Sequence, residues 1–206
     1  MTKEWIYKQP DPIKVNALCE TLGVSTVVGG LMVNRDIITI RDAELFLNSD
    51  LSRLHNPFLL PNMEKAVIRV RKAVDSNEKI LIYGDRDVDG VTSIAILMRT
   101  LRSLGAEVVW TIPGEEGYGL HPEILDRFKK DGAKVVITVD CGTSAVEGID
   151  YANSIGLDVI VTDHHLPPEI LPKAYAIVNP NLRESNYPMK ELAGCLTAFK
   201  FAYALM

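Results

Sequence analysis

The stretch Lys79-Ile80-Leu81-Ile82-Tyr83-Gly84-Asp85-Arg86-Asp87-Val88-Asp89-Gly90-Val91-Thr92-Ser93 decides how the rest of the chain is read. An apolar run stops at Gly84, and aspartate then falls at every second position. A helical pattern follows over 92–104 and is closed by Gly105. In extended chain that spacing sends Asp85 and Asp87 to the same side. Carboxylates this close repel one another unless a cation lies among them. A strand that ends in such a cluster is therefore a candidate metal site.

Working outward, strand and helix patterns alternate. Strands are predicted over 107–112, 134–139, 158–162 and 174–178, and helices over 122–130, 144–155 and 191–205. The run over 134–139 is almost unbroken in β-branched residues, which suits a strand buried on both faces of a parallel sheet. This rhythm specifies an α/β fold, a parallel β-sheet flanked by helices, with right-handed crossovers. Upstream, Pro57-Phe58-Leu59-Leu60-Pro61 reads as a joint, and a helix is expected over 62–75 with Asn62 as its cap. Arg69, Arg71 and Lys72 on that helix read as a solvated face. Residues 1–56 form a small helical appendage. One helix is expected over 13–22 with Gly23 as its stop, then a break at Gly29-Gly30, then a short helix over 43–47 capped by Asp42. The organisation is thus an appendage, 1–56, and a core, 57–206.

Composition sets the class. The chain has 206 residues, 47% hydrophobic and 24% charged, which provides ample material for a globular core. No run approaches the ~18 apolar residues of a membrane span. The N-terminus lacks the basic-then-apolar pattern of a signal peptide. Cys19, Cys141 and Cys195 are scattered, without the spacing of a zinc knuckle or a disulfide framework. A reducing, cytoplasmic location follows as the expectation. The net charge of −5 gives no global basic footprint, although a local basic groove is compatible with it.

Two more strands end in metal-ligating residues: Asp140 after the third, and Asp163-His164-His165 after the fourth. Parallel sheets bind ligands beyond the carboxyl ends of their strands, so the fold gathers these residues at one edge. Oxygen donors with a single imidazole suit Mn²⁺ or Mg²⁺. Two such ions roughly 3.5–4 Å apart would serve an in-line phosphoryl displacement. Taken singly, each residue also has a structural reading. Asp89 and Asp140 could cap helices, and the histidines could be a solvated pair. An aspartyl-phosphate receiver is a further reading, but Asp-His-His stands where a receiver carries a hydroxyl and a lysine.

The motifs Gly84 to Gly90, Val139-Asp140-Cys141-Gly142 and Thr162-Asp163-His164-His165 resemble the first three motifs of the DHH phosphoesterases. Within that superfamily the chain is most similar to the single-strand-specific 5′-to-3′ DNA exonucleases. Asn56-Pro57-Phe58, Gly117-Tyr118-Gly119-Leu120, Ala176 through Asn181, Leu192-Ala193-Gly194 and Ala198-Phe199-Lys200 extend the likeness over about residues 40–206. The resemblance implies that Asp85 binds one metal ion and Asp87 the other, with Asp140 bridging and His164 on the second ion. It implies that His165 faces the scissile phosphate and that Asp163 orients the histidines. Asp89, Gly90, Thr92 and Ser93 would support the turn and an anion site at the helix start, with Gly142 in the turn after Asp140.

Three departures stand out. Arg86 lies where the family has an aromatic, and could pair with a carboxylate or hold a phosphate. Gly114-Glu115-Glu116 lacks an expected basic residue, and Cys195 replaces a glycine or alanine. A fourth acidic ligand and the DNA-holding domains are expected beyond Met206, so the 206 residues alone should bind metal weakly and cut little or not at all. The function implied is metal-dependent exonuclease action on single-stranded DNA in recombination and repair, with a helicase and a single-strand-binding protein as partners and no membrane. A phosphoesterase for short oligonucleotides, cyclic dinucleotides or pyrophosphate, and a DNA-replication scaffold that does not cut, remain as alternatives.

Overall fold

The computed structural model describes residues 6, 8–48, 50–114, 117 and 119–206. Readings that involve Trp5, Glu115, Glu116 and Tyr118 lie outside the described residues. The chain divides into two compact units, Met1–Leu54 and His55–Met206.

Among its described residues the first unit holds three α-helices rather than two, with a 3-10 turn at Leu51–Arg53. Helix α1 (Pro12–Leu22) begins where the Asp11 side chain accepts from Ile13 N, at 2.9 Å, and ends at Gly23 in left-handed backbone, φ 66°. Helix α2 (Thr26–Val33) runs straight through Gly29-Gly30, where the sequence predicted a break. A Cβ at Gly29 would fall 2.7 Å from Cys19 Sγ. Gly29 therefore lets α2 lie close on α1, and packing overrides the poor helix propensity of glycine. Helix α3 (Ile40–Leu47) is capped by Thr39 Oγ1, which accepts from Asp42 N at 3.1 Å; Asp42 itself sits in the first turn. Val15, Leu18, Met32, Val33 and Ala43 form this unit's core.

The second unit is a five-stranded, wholly parallel sheet. Its strands are β1 (Lys79–Tyr83), β2 (Val108–Thr111), β3 (Ala133–Val139), β4 (Asp158–Thr162) and β5 (Ala176–Val178). They lie in the order β2-β1-β3-β4-β5. Helices α4 (Met63–Asp75), α5 (Val88–Ser103) and α8 (Gly194–Leu205) cover one face, over Ile80, Ile82, Val135, Ile137 and Ile160. Helices α6 (Pro122–Lys130) and α7 (Val146–Ser154) cover the other, over Leu81, Tyr83, Val136, Val159 and Val161. Successive strand residues thus feed opposite cores, the signature of a doubly covered sheet. Burying each of these Val, Ile and Leu side chains stabilises the fold by about 1.5–3 kcal/mol. Because β1 has β2 on one side and β3 on the other, the chain's winding reverses between β1 and β3, which opens a crevice at their carboxyl ends.

Two expectations about α4 fail. Asn62 precedes the helix in left-handed backbone and caps nothing; its side-chain amide donates to Ile177 O at 3.0 Å. Arg69 is buried, pairing with Glu78 Oε2 at 2.7 Å and Asp158 Oδ2 at 2.6 Å. Its partners come from outside its own helix, so helical periodicity could not reveal them. Arg71 donates to the Leu205 carbonyl, and Lys72 is exposed as expected.

Candidate metal centre

The ladder of the sheet places the site. Beyond the strands proper, Gly84 N bonds Thr111 O, Asp140 N bonds Thr162 O and Asp163 N bonds Val178 O, at 3.0–3.1 Å. Each strand thereby delivers its acidic residue at the same edge. Among the described residues, Asp140, His164 and His165 have ligating atoms all within 4.8 Å of one another. Asp85 and Asp87 lie outside that tight set but border it. The charge of Asp87 raises the pKa of Asp140, and that of Asp85 helps raise the pKa of His165.

Asp140 is the focus. It is 2% exposed and sits in left-handed backbone at φ 59°, a conformation uncommon outside glycine, asparagine and aspartate. Its Oδ1 accepts no hydrogen bond, and His164 Nε2 lies 3.2 Å away. Burial, then the Asp89 and Asp87 carboxylates, push its pKa to about 7. A buried carboxylate oxygen without a donor is costly, and a cation is the species that would satisfy it. The donor set present, carboxylate oxygens with imidazole nitrogen, fits a hard divalent ion. Cys141 offers no thiolate, because burial holds its pKa well above the ordinary value.

The histidine turn is braced from several sides. Asp163 is buried, and its Oδ1 accepts from His164 N at 2.7 Å, from His165 N at 3.2 Å and from the His165 ring Nδ1 at 2.7 Å. Its Oδ2 accepts from Thr143 N at 2.9 Å. Burial works against ionisation of Asp163, but these bonds outweigh it and lower its pKa. Burial likewise opposes protonation of His165, yet Asp163 and the nearby Asp140 and Asp85 carboxylates raise its pKa. Asp163 therefore orients the His165 ring through Nδ1, whereas it holds His164 through the backbone. The two rings are 4.6 Å apart and tilted.

Two residues the sequence reading left without a role complete the brace. Asn179 is fully buried; its Nδ2 donates to Thr143 Oγ1 and His165 O, both at 2.9 Å. Asn181 Nδ2 donates to His164 O at 2.6 Å. Their position just past β5, at the same sheet edge, was the available signal.

At the start of α5 the roles of the aspartates shift by one turn. The helix begins at Val88, and Asp87 is its cap, accepting from Gly90 N at 2.9 Å. Asp85 Oδ1 accepts from Arg86 N at 2.7 Å. Gly90 presses on the Asp85 backbone so closely that a Cβ would overlap it. Thr92 Oγ1 donates to Val88 O at 2.7 Å and Ser93 Oγ to Asp89 O at 2.7 Å, so both hydroxyls brace the helix instead of offering donors to an anion. The Asp89 side chain reaches across to α8, where its two oxygens accept from Gly194 N at 2.8 Å and Cys195 N at 2.6 Å. Gly142 follows Asp140 with φ 111° and completes that turn. Arg86 donates to Gly114 O at 2.5 Å, and among the described residues it forms no ion pair with the aspartates.

The DHH family model, described as its N-terminal domain, matches residues 79–205. The single-stranded-DNA-specific exonuclease RecJ of Bacillus subtilis is 42% identical over 204 residues, 98% of this chain and 26% of that protein. A crystal structure of an exonuclease RecJ bound to manganese is 34% identical with a TM-score of 0.65, covering 71% of this chain and 37% of that one. The RecJ of Thermus thermophilus in complex with Mn²⁺ is 26% identical with a TM-score of 0.73, covering 96% of this chain and 28% of that one. This chain thus spans about a quarter of the length of the curated relative. With its three strand-end motifs at one sheet edge and the family match over most of its length, the chain belongs to the DHH family.

Proposed function

We propose that the chain forms the metal-binding part of a phosphodiesterase that degrades single-stranded DNA from its 5′ end, serving recombination and repair in the cytoplasm. One observation carries the reading: buried Asp140, in left-handed backbone, presents an oxygen without a donor beside His164. In this reading Asp85, Asp87, Asp140 and His164 hold Mn²⁺ or Mg²⁺, and His165 faces the scissile phosphate. A bound divalent ion supplies Lewis acidity and lowers the pKa of a water. The chain's own contribution is positional. Asp163 fixes the His165 ring, Asn179 and Asn181 hold the turn that carries both histidines, and Asp140 Oδ1 stays without a hydrogen-bond donor.

The likeness to single-stranded-DNA-specific exonucleases supports a DNA strand as substrate over short oligonucleotides, cyclic dinucleotides or pyrophosphate. The bond of Arg86 to Gly114 O, with no ion pair to the aspartates among the described residues, supports cutting over a scaffold that only binds. A helicase and a single-strand-binding protein are the expected partners, and among the described residues no helix is long and apolar enough to cross a membrane. The test is Mn²⁺-dependent degradation of 5′-labelled single strands by the protein that carries this segment. Asp140→Ala should abolish it; an unchanged rate in that variant would remove the proposal's foundation.

A further inference from the structure

The peptide N–H groups of Gly194 and Cys195 are donors at the start of α8, and that helix start lies directly on Asp140. A Cβ at Gly194 would overlap Asp140 Oδ1, so helix backbone and carboxylate are in contact. Yet Asp140 Oδ1 receives no bond. Both N–H groups are directed to Asp89, at 2.8 and 2.6 Å. Asp89 sits in the first turn of α5 and is partly buried. Ala193, the residue before α8, has no side chain able to cap these donors, so Asp89 supplies the cap from another element.

We propose that Asp89 is a positioning residue of the metal centre. It takes the two donors that would otherwise satisfy Asp140 and fixes α8 against the site. The inference rests on the metal reading above and assigns Asp89 no contact with the ion. Without the clasp, α8 is free to turn its N–H groups toward the neighbouring Asp140. That carboxylate would then be satisfied by protein and would lose its demand for a cation. Gly194 is the second part of the device, since the absence of a side chain there is what lets helix and carboxylate share the space.

The test uses the ¹⁵N-labelled full protein that carries this segment and Mn²⁺ titration calorimetry, with Asp89→Asn, Asp89→Glu and Gly194→Ala. Asp89→Asn removes the charge and one of the two acceptors. Asp89→Glu keeps the charge but places it one methylene further out. Gly194→Ala leaves Asp89 untouched and sets a methyl against Asp140 Oδ1, so it probes the contact between helix start and carboxylate. All three should weaken Mn²⁺ binding by about tenfold or more, the scale of outer-partner losses at metal sites. The Gly194 and Cys195 amide resonances should move in the two Asp89 variants, while the strand resonances stay in place and report an intact fold. Wild-type affinity in Asp89→Glu would reduce Asp89 to a charge and overturn the inference. Wild-type affinity in Asp89→Asn or Gly194→Ala would also overturn it. A wild-type chain that takes up no Mn²⁺ would be seen in the first titration, and would bring down the metal reading together with this one.

Discussion

The second unit carries buried or half-buried acids at both ends of its sheet, and the two ends are treated in opposite ways. At the amino-terminal end, Glu78 and Asp158 share Arg69, which is 7% exposed and lies 2.6–2.7 Å from each. At the carboxyl end, Asp85, Asp87, Asp89, Asp140 and Asp163 gather with two histidines and, among the described residues, form no ion pair with an arginine or lysine side chain. At the first end the chain supplies its own cation: Arg69 Nε bonds Asp158 Oδ2, and Nη1 lies 2.7 Å from Glu78 Oε2, close in charge although not aligned as a hydrogen bond. At the second end the cation has to come from solution. Burying charge is tolerated only when it is paired, so the difference separates an end built for stability from an end built for binding.

Exchanging the treatment of the two ends gives the largest expected effect. Asp140→Asn keeps a residue that tolerates left-handed backbone and removes the repelled charge. Mn²⁺ affinity should fall more than about 100-fold, beyond the loss expected for outer partners, while the metal-free chain becomes more stable. Calorimetry and chemical unfolding measure the two halves; a variant less stable than wild type without metal would contradict the contrast drawn here. Arg69→Met is the converse. It leaves two carboxylates without a cation and should cost about 2–3 kcal/mol, somewhat below the 3–5 of a fully buried pair, because Asp158 is partly wet. Mn²⁺ binding in the folded fraction should be unchanged, and a joint loss of stability and affinity would show that the ends are coupled.

Acidity sharpens the comparison further. The pKa of Asp140, raised to about 7, means that the folded, metal-free chain keeps a proton that the unfolded chain releases near pH 4. Stability without metal should therefore fall as pH rises from about 4 through about 7. Mn²⁺ has to displace that proton, so its affinity should drop about tenfold for each pH unit below about 7. Equal affinities at about pH 6 and about pH 8 would refute the assignment. The smallest effect is expected at the brace. Asn181→Ala removes one bond, to His164 O, and should cost about 1 kcal/mol by denaturant titration. A cost near zero would mean that the histidine turn holds itself.

Much of this was legible along the chain. Runs such as 134–139 announce buried strands, and the rule that parallel sheets work at their carboxyl ends brought Asp140 and Asp163-His164-His165 to the same edge as Asp85 and Asp87. What escaped depends on partners far off in sequence. Arg69 looked solvated because Asp158 lies 89 residues away. Asp89 looked like a local turn residue because the N–H groups it accepts from lie 105 and 106 residues on. The helical course of α2 through Gly29-Gly30 was hidden because the reason for Gly29, the side chain of Cys19, sits on another helix. Composition within a window reports propensity; it does not report what stands opposite.

The left-handed backbone at Asp140 narrows the alphabet available there. The conformation admits glycine, asparagine and aspartate with little strain. The charge admits aspartate and glutamate. Only aspartate belongs to both sets, so a single letter is fixed twice, once by the shape of the chain and once by its chemistry. Glutamate at 140 would retain the charge on a strained backbone, and glycine would relax the backbone around an empty site. No one-residue change preserves both, and position 140 is therefore where drift in this sequence should be least forgiving.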